Sequence, residues 1–338
     1  MCKVAIVILT WNGRELLRSF LPSVLKCSEG EGVVYVADNG SEDDTLSMLA
    51  ADFPTVKVIS LKRNYGFAEG YNRALEQVEA EYAVLLNSDV EVSEHWLTPL
   101  VSFMDAHPEV AACQPKIRSY HHRGSFEYAG AAGGFIDRFG YPFCRGRIFN
   151  TLEQDQGQYD EPLQVFWATG AALFIRLKDY REAGGLDARF FAHMEEIDLC
   201  WRLNARGRQV WCLPQSVVYH VGAATLKREN PKKTFLNFRN NLLMLYKNTS
   251  DNELYRVMYW RCFLDYLAAL SFILKGRFSN AKAIWQARRA YHRMRPDFFI
   301  SRNMNMVSAV SEPALKPWSQ SILKTYYMQA KRKFSDLC

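Results

Sequence analysis

Four short apolar runs, each followed by a helix-spaced segment or a small polar cluster, constrain this chain more than any other feature. Val4-Ala5-Ile6-Val7-Ile8-Leu9 is continuous and β-rich, as a strand covered on both faces requires. Residues 13–26 then place Leu16, Leu17, Phe20, Leu21, Val24 and Leu25 at helical spacing. The same reading expects strands at 33–37, 56–61 and 82–86, with helices at 44–52 and 67–79. Strands alternating with helices of this length form parallel βαβ units, hence a doubly wound α/β sheet. Ligands of such sheets bind beyond the carboxyl ends of the strands.

Polar residues collect at those ends: Thr10-Trp11-Asn12, Asp38-Asn39-Gly40-Ser41, Lys62-Arg63-Asn64 and Asn87-Ser88-Asp89. Any one of them alone is more simply a turn or a helix cap. Four at one edge imply a shared crevice. Asp38 can accept from a pyrimidine N–H or a ribose hydroxyl. Gly66 and Gly70 allow close backbone approach before a helix start that suits phosphate, although this is not a GxGxxG fingerprint. Asp89 offers a carboxylate for Mg²⁺ or Mn²⁺, which can share the remaining sites with substrate phosphates.

From 118 to 165 the pattern loosens into Gly- and aromatic-rich sequence of the length that functional lids have. Order returns with a strand at 171–175, a helix at 195–206 and short strands at 209–213 and 216–219. Glu195 and Glu196 open that helix after a run of aromatics, where partial desolvation would raise a carboxylate toward the pKa of a general base. Asp198 and Arg202 stand at i,i+4 and can be purely structural. His220 ends an apolar strand; a lone histidine is usually a satisfied polar group, but imidazole can also complete a metal site.

Beyond 231 the chain reads as helices, at 233–247, 252–275, 279–293 and 317–333. Here the charge changes sign. Residues 226–338 hold 21 Lys and Arg against 7 Asp and Glu, while the whole chain nets only +6. A basic tail suits phosphate or anionic lipid. Residues 257–274 are the most apolar stretch, yet Arg261 and Asp265 leave the uninterrupted run too short to span a bilayer. A helix lying in an anionic membrane surface fits better; a bundle helix or homodimer contact is the plainer alternative. No nucleic-acid module is recognisable. The eight cysteines form no CxxC pair and read as reduced thiols in a cytosolic protein, and the N-terminus lacks a signal-peptide pattern.

Taken in order, TWN, VADNGSEDDT, RNYGFAEGYN, LLNSDVEV, TGAALFIR, GGLDARFF, EEIDLCWR, YHVGAAT and FRNN resemble the family 2 glycosyltransferases, and within them the bacterial rhamnosyltransferase-like group. The resemblance spans about residues 3–247. It implies a GT-A fold, mostly parallel and flanked by helices, with a catalytic domain over 1–225 and a basic helical extension over 226–338. The first half, 1–117, would bind the nucleotide sugar; the second, 118–225, would serve acceptor and catalysis. It further implies a nucleotide-diphosphate sugar donor, a glycan or lipid-linked acceptor, and inversion at the anomeric carbon. Thr10, Asn12, Asp38, Asn64, Gly66, Asn87 and Ser88 would line the donor site. Asp89 and His220 would hold the metal, Asn87 standing where the family has the first Asp of DxD. Glu195-Glu196 occupies the Glu-Asp position whose second member is the base, so Glu196 is expected in that role. The expected location is cytoplasmic, peripheral at the inner face of the cell membrane. Two other readings compete. A silent nucleotide-sugar-binding scaffold would be expected to lose some of Asp89, Glu196 and His220. A nucleotidyltransferase would need a basic Gly-rich loop after the first strand.

Overall fold

The computed structural model describes residues 2–222 and 230–337. The last three residues of the YHVGAAT string and the expected boundary at 225/226 lie outside the described residues. The chain opens with β1 (Cys2–Thr10), α1 (Arg14–Cys27), β2 (Val33–Asp38), α2 (Thr45–Asp52), β3 (Lys57–Ser60), α3 (Gly66–Leu75) and β4 (Ala80–Asn87). It continues through β5 (Val90–Val92), α4 (Leu97–Ala106) and β6 (Val110–Ser119). In the sheet β1 lies between β2 and β4, and β3 pairs outside β2, all parallel. Alternate residues of β1 serve two cores. Val4, Ile6 and Ile8 meet Leu17, Leu21, Met48, Leu97 and Leu100 on one face. Ala5 and Val7 meet Tyr71, Ala74 and residues further along the chain on the other. Burial on both faces is why these strands read as unbroken apolar runs.

The segment 118–165 does not form a loose lid. It folds into a small antiparallel sheet of β7 (Gly134–Ile136), β8 (Pro142–Cys144), β9 (Arg147–Ile148) and β10 (Thr151–Leu152). Lys116 and Arg118 tie it to the main sheet through the fully buried carboxylate of Asp155. After β11 (Leu163–Gln164), β12 (Ala172–Arg176) runs antiparallel between β4 and β6. α5 (Leu177–Glu182) and α6 (Glu195–Ala205) follow. The two short strands expected at 209–219 are one, β13 (Gln209–His220), with a register shift between Leu213 and Val217. Pro214 explains the break in pattern, since it cannot donate to the ladder. β13 runs parallel to β6, so the sheet is mostly parallel and flanked by helices.

The tail supplies α7 (Pro231–Asn248), α8 (Asp251–Leu274), α9 (Phe278–Met294), α10 (Phe299–Ser308) and α11 (Ile322–Tyr327). α7 is no detached appendage. Leu242, Leu243, Met244 and Leu245 belong to the same core as Ala5 and Val7. The helix expected at 317–333 is only the six residues of α11. Pro317 and the Ser-Gln-Ser that follows favour an extended approach, and the amides of Trp318 and Ile322 bond to Ile136 and Asp137 of the small sheet instead.

Candidate active site

Parallel register puts the strand ends side by side: Thr10 opposite Asp38, and Leu9 opposite Asn87. The turns beyond them are braced by amides. Asn12, at φ 50°, receives the Glu42 N–H on its side-chain oxygen (2.8 Å) and gives its own N–H to Ser41 Oγ (2.8 Å). Asp38 is buried and accepts the Ser41 N–H at 3.2 Å. Asn64 accepts from the Gly66 N–H at 2.8 Å and from Asn39 Nδ2 at 3.2 Å. Asn39, to which sequence reasoning gave no role, thus welds the second and third turns together. Thr10 is buried with a hydroxyl that has no partner among the described residues. Gly66 takes φ 79°, and a Cβ there would lie 2.6 Å from the Phe191 ring. Only glycine fits that approach.

A second cluster forms where β4 ends. Ser88 and Asp89 make the turn into β5, and β5 pairs antiparallel with the end of β13, so His220 comes opposite Val90. The register sets His220 Nε2 3.1 Å from Asp89 Oδ1 and 3.4 Å from Asn87 Nδ2. On the other side of the ring Nδ1 lies 3.3 Å from Glu127 Oε2. Burial pulls the imidazole down, but the two carboxylates outweigh it and push its pKa up to about 10. Two buried carboxylates thus hold a proton where a cation would satisfy them as well. One carboxylate, one imidazole and an orienting carboxylate behind the ring suit a divalent ion that keeps other positions for phosphate oxygens. Glu127 went unrecognised because it sits at no strand end and in no motif. An acid between Phe126 and Tyr128 was its only signal.

The third cluster is the start of α6. Phe191, His193 and Met194 all adopt left-handed φ, at 66°, 70° and 75°. Such strain persists only where the surroundings enforce it. Here Asn240 of α7 does so, its amide donating to the carbonyls of Phe190 (3.0 Å), Ala192 (2.8 Å) and His193 (2.8 Å). The Phe67 N–H binds the Phe191 carbonyl at 2.9 Å. This frame delivers Glu195 and Glu196, each with a buried carboxylate oxygen that has no partner among the described residues. Burial raises Glu196 to about 7. Burial and the neighbouring Glu196 raise Glu195 well above the carboxylate range. His193 is held neutral, lowered to about 4 by burial and the Lys233 charge.

The carboxylate pair and the Asp89–His220 pair make no direct hydrogen bond, but one turn separates them. The Ala171 carbonyl accepts the Asn87 N–H at 3.0 Å, and a Cβ on Gly170 would lie 3.8 Å from Glu196 Cβ. Asp198 and Arg202 stand apart as structure: Asp198 takes Arg202, Lys247 (2.8 Å) and Asn248 (2.8 Å), locking α6 to α7.

A sequence model described as glycosyl transferase family 2 matches residues 5–173. The chain is 23% identical over 299 residues to an N-acetylglucosaminyl-diphospho-decaprenol L-rhamnosyltransferase of Mycobacterium tuberculosis, covering 84% of this chain and 95% of that one. It is 22% identical over 228 residues to the rhamnosyltransferase WbbL of Escherichia coli, covering 64% and 83%. Among solved structures, S. aureus TarS 1–349 aligns with TM-score 0.51 at 16% identity over 90% of this chain and 88% of that one. GalNAc-T7, solved with UDP, GalNAc and Mn²⁺, aligns with TM-score 0.57 at 16% identity over 73% of this chain and 48% of that chain, about half its length. At such identities these two likenesses are of fold.

Proposed function

The chain belongs to glycosyl transferase family 2 and has the GT-A fold, and on that premise we propose that it is an inverting, metal-dependent glycosyltransferase. It would move a sugar, rhamnose by analogy with its relatives, from a nucleotide diphosphate to a glycan or lipid-linked glycan in cell-surface polysaccharide synthesis. One observation carries the reading: Glu196 has a buried, unpartnered oxygen and a pKa near 7, one turn from a buried Asp89–His220 pair. A carboxylate half-ionised at neutral pH is suited to take the acceptor's proton as its oxygen attacks.

Asp89 and His220 would hold a divalent ion, whose chemistry is to neutralise the departing diphosphate. Asp38 is placed for the base or ribose, and Thr10, Asn12, Asn64, Gly66, Asn87 and Ser88 shape the donor edge around it. Glu195, kept protonated by burial and by its neighbour, leaves Glu196 as the base. An acceptor like that in the M. tuberculosis relative's name carries a single sugar on a polyprenyl diphosphate. The chain would then work in the cytoplasm at the inner face of the membrane, on which the apolar face of α8 would rest. That face also suits a homodimer contact.

The test is a panel of UDP-, dTDP- and GDP-sugars with Mn²⁺ or Mg²⁺ and a sugar-diphosphate-lipid acceptor. Transfer with one donor is expected, together with loss of roughly 10²–10⁴-fold in Glu196→Gln. Equal activity of wild type and variant would reject Glu196 as base. No transfer from any donor would reject the reading.

A further inference from the structure

A groove of about 660 Å³ runs between the N-terminal turns of α7 and the exposed side of α9, and no residue of the three clusters above lines it. Phe235 and Trp285 give it apolar walls, and Lys232, Arg289 and Arg293 bring three cations. Among the described residues no Asp or Glu lines it. Among the described residues none of the three cations is ion-paired; Arg289 instead lies over the Trp285 ring, 4.7 Å from its centre. Unpaired cations beside exposed aromatic surface lack what stabilises either, and suit a ligand that is anionic at one end and apolar at the other. The apolar side continues along α9, where Phe278, Lys282, Trp285, Arg289 and Arg293 follow at helical spacing on its exposed face.

The acceptor proposed above is one such amphiphile, and the groove lies on the helix that also frames the base. Asn240 of α7 holds the carbonyls just before Glu195. Phe235 and Lys232 lie five and eight residues earlier on the same helix, about 7 and 12 Å back along its axis. The groove therefore shares α7 with the frame that aims the base, one to two turns along the axis and on a different side of the helix. In the acceptor proposed above, one sugar separates the attacked hydroxyl from the diphosphate.

We propose that this groove binds the diphosphate and first isoprene units of a lipid-linked acceptor, with Lys232, Arg289 and Arg293 on the phosphates and Trp285 and Phe235 on the hydrocarbon. It rests on the reading of the chain as a transferase to such an acceptor. Arg289 and Arg293 are exposed, so Arg289→Gln/Arg293→Gln should leave fold and melting temperature unchanged. The probe is farnesyl diphosphate, titrated by calorimetry with saturating UDP present to block the donor site. Wild type should bind it, the double variant roughly tenfold or more weakly, and inorganic pyrophosphate should bind wild type more weakly still. Trp285→Phe should keep binding and lose the accompanying fluorescence change.

Equal binding by wild type and double variant overturns the proposal, as does no binding by wild type. A second arm uses phosphatidylglycerol vesicles. If only vesicle binding responds to the double substitution, the groove is a bilayer contact and the proposal falls. Transfer assays separate the two levels. A raised KM for a farnesyl-diphosphate-linked sugar with unchanged donor KM supports the groove, and unchanged KM for both sinks it while leaving the transferase reading intact. Farnesyl diphosphate binding without transfer from any donor would sink the transferase reading and leave the groove standing.

Discussion

At the scale of single residues the proposed base is a carboxylate held where it is uncomfortable. Glu196 binds its proton more tightly folded than unfolded, because burial raises it to about 7. Between the ordinary glutamate range and pH 7 the folded state therefore holds more protons, and stability falls as pH rises through that window. Transfer runs the other way. With Glu196 as the proposed base it would need the ionised form, so kcat/KM should rise with pH and reach half its plateau near 7. Glu196→Gln should be inactive yet melt higher than wild type at pH 8, a gain that thermal scans at pH 5 and 8 would resolve. If wild type and variant shifted together across that range, Glu196 would not be the strained group. Glu195→Gln should retain far more activity, since it replaces an already neutral side chain with another.

Glu127 makes a prediction of a different kind. By taking the Nδ1 side of the ring it fixes the imidazole so that Nε2 faces Asp89. Carboxylates in that position behind a ligating histidine typically change metal affinity by about 10–100-fold. Mn²⁺ binding to Glu127→Gln, followed by electron paramagnetic resonance without any sugar donor, should weaken by that order. Unchanged affinity would reduce Glu127 to a loop brace for Ala129. The sequence pointed to Asp89 and His220 because both close a buried strand. It could not point to Glu127, whose relevance depends on β6 and β13 lying side by side. The same holds for Asn240, visible as part of a string but meaningful only against the carbonyls it holds.

At the scale of elements, what could be read were the segments whose packing is two-sided. β1, β2 and β4 announce themselves because both faces are covered, and α1 because one stripe is; β3, at the sheet edge, buries only Ile59. β5, three residues long, has no pattern of its own and exists as a partner for β13. α8 was legible as a helix but not as an orientation. Its inward stripe is charged: Arg261 binds Asp265 at 2.9 Å and the Phe139 carbonyl at 2.9 Å, and Arg288 of α9 reaches the other Asp265 oxygen at 2.7 Å. By length and composition α8 is apolar enough to cross a bilayer, despite the two charges that interrupt it. Those charges are what fasten it to the domain. Asp265→Ala would leave two buried guanidinium groups unpaired and should cost about 3–5 kcal/mol, whereas Arg261→Met/Asp265→Leu/Arg288→Met should restore most of that. Chemical denaturation of the three proteins gives the comparison. Equal stability of wild type and Asp265→Ala would mean that apolar contacts, not this network, hold α8.

At the scale of the molecule, fastening α8 by its charges turns its apolar side outward. Tyr259, Trp260, Phe263, Leu267, Leu270 and Leu274 are all exposed, and Phe299, Ile300 and Met304 of α10 add to the apolar surface. Lys275, Arg277 and Lys282 accompany them on a tail whose charge is strongly positive. Aromatic and aliphatic side chains beside basic ones match the boundary between acyl chains and anionic headgroups. The chain should therefore co-sediment with vesicles containing phosphatidylglycerol at low salt, and less so as salt screens the basic residues. Trp260→Glu/Leu267→Glu changes only exposed positions, so it should abolish that binding and leave the melting temperature unchanged. If wild type ignored vesicles but sedimented as a dimer that the same substitutions split, the face would be a subunit contact. The charged interior of α8 would then serve assembly rather than bring the active site to a lipid acceptor.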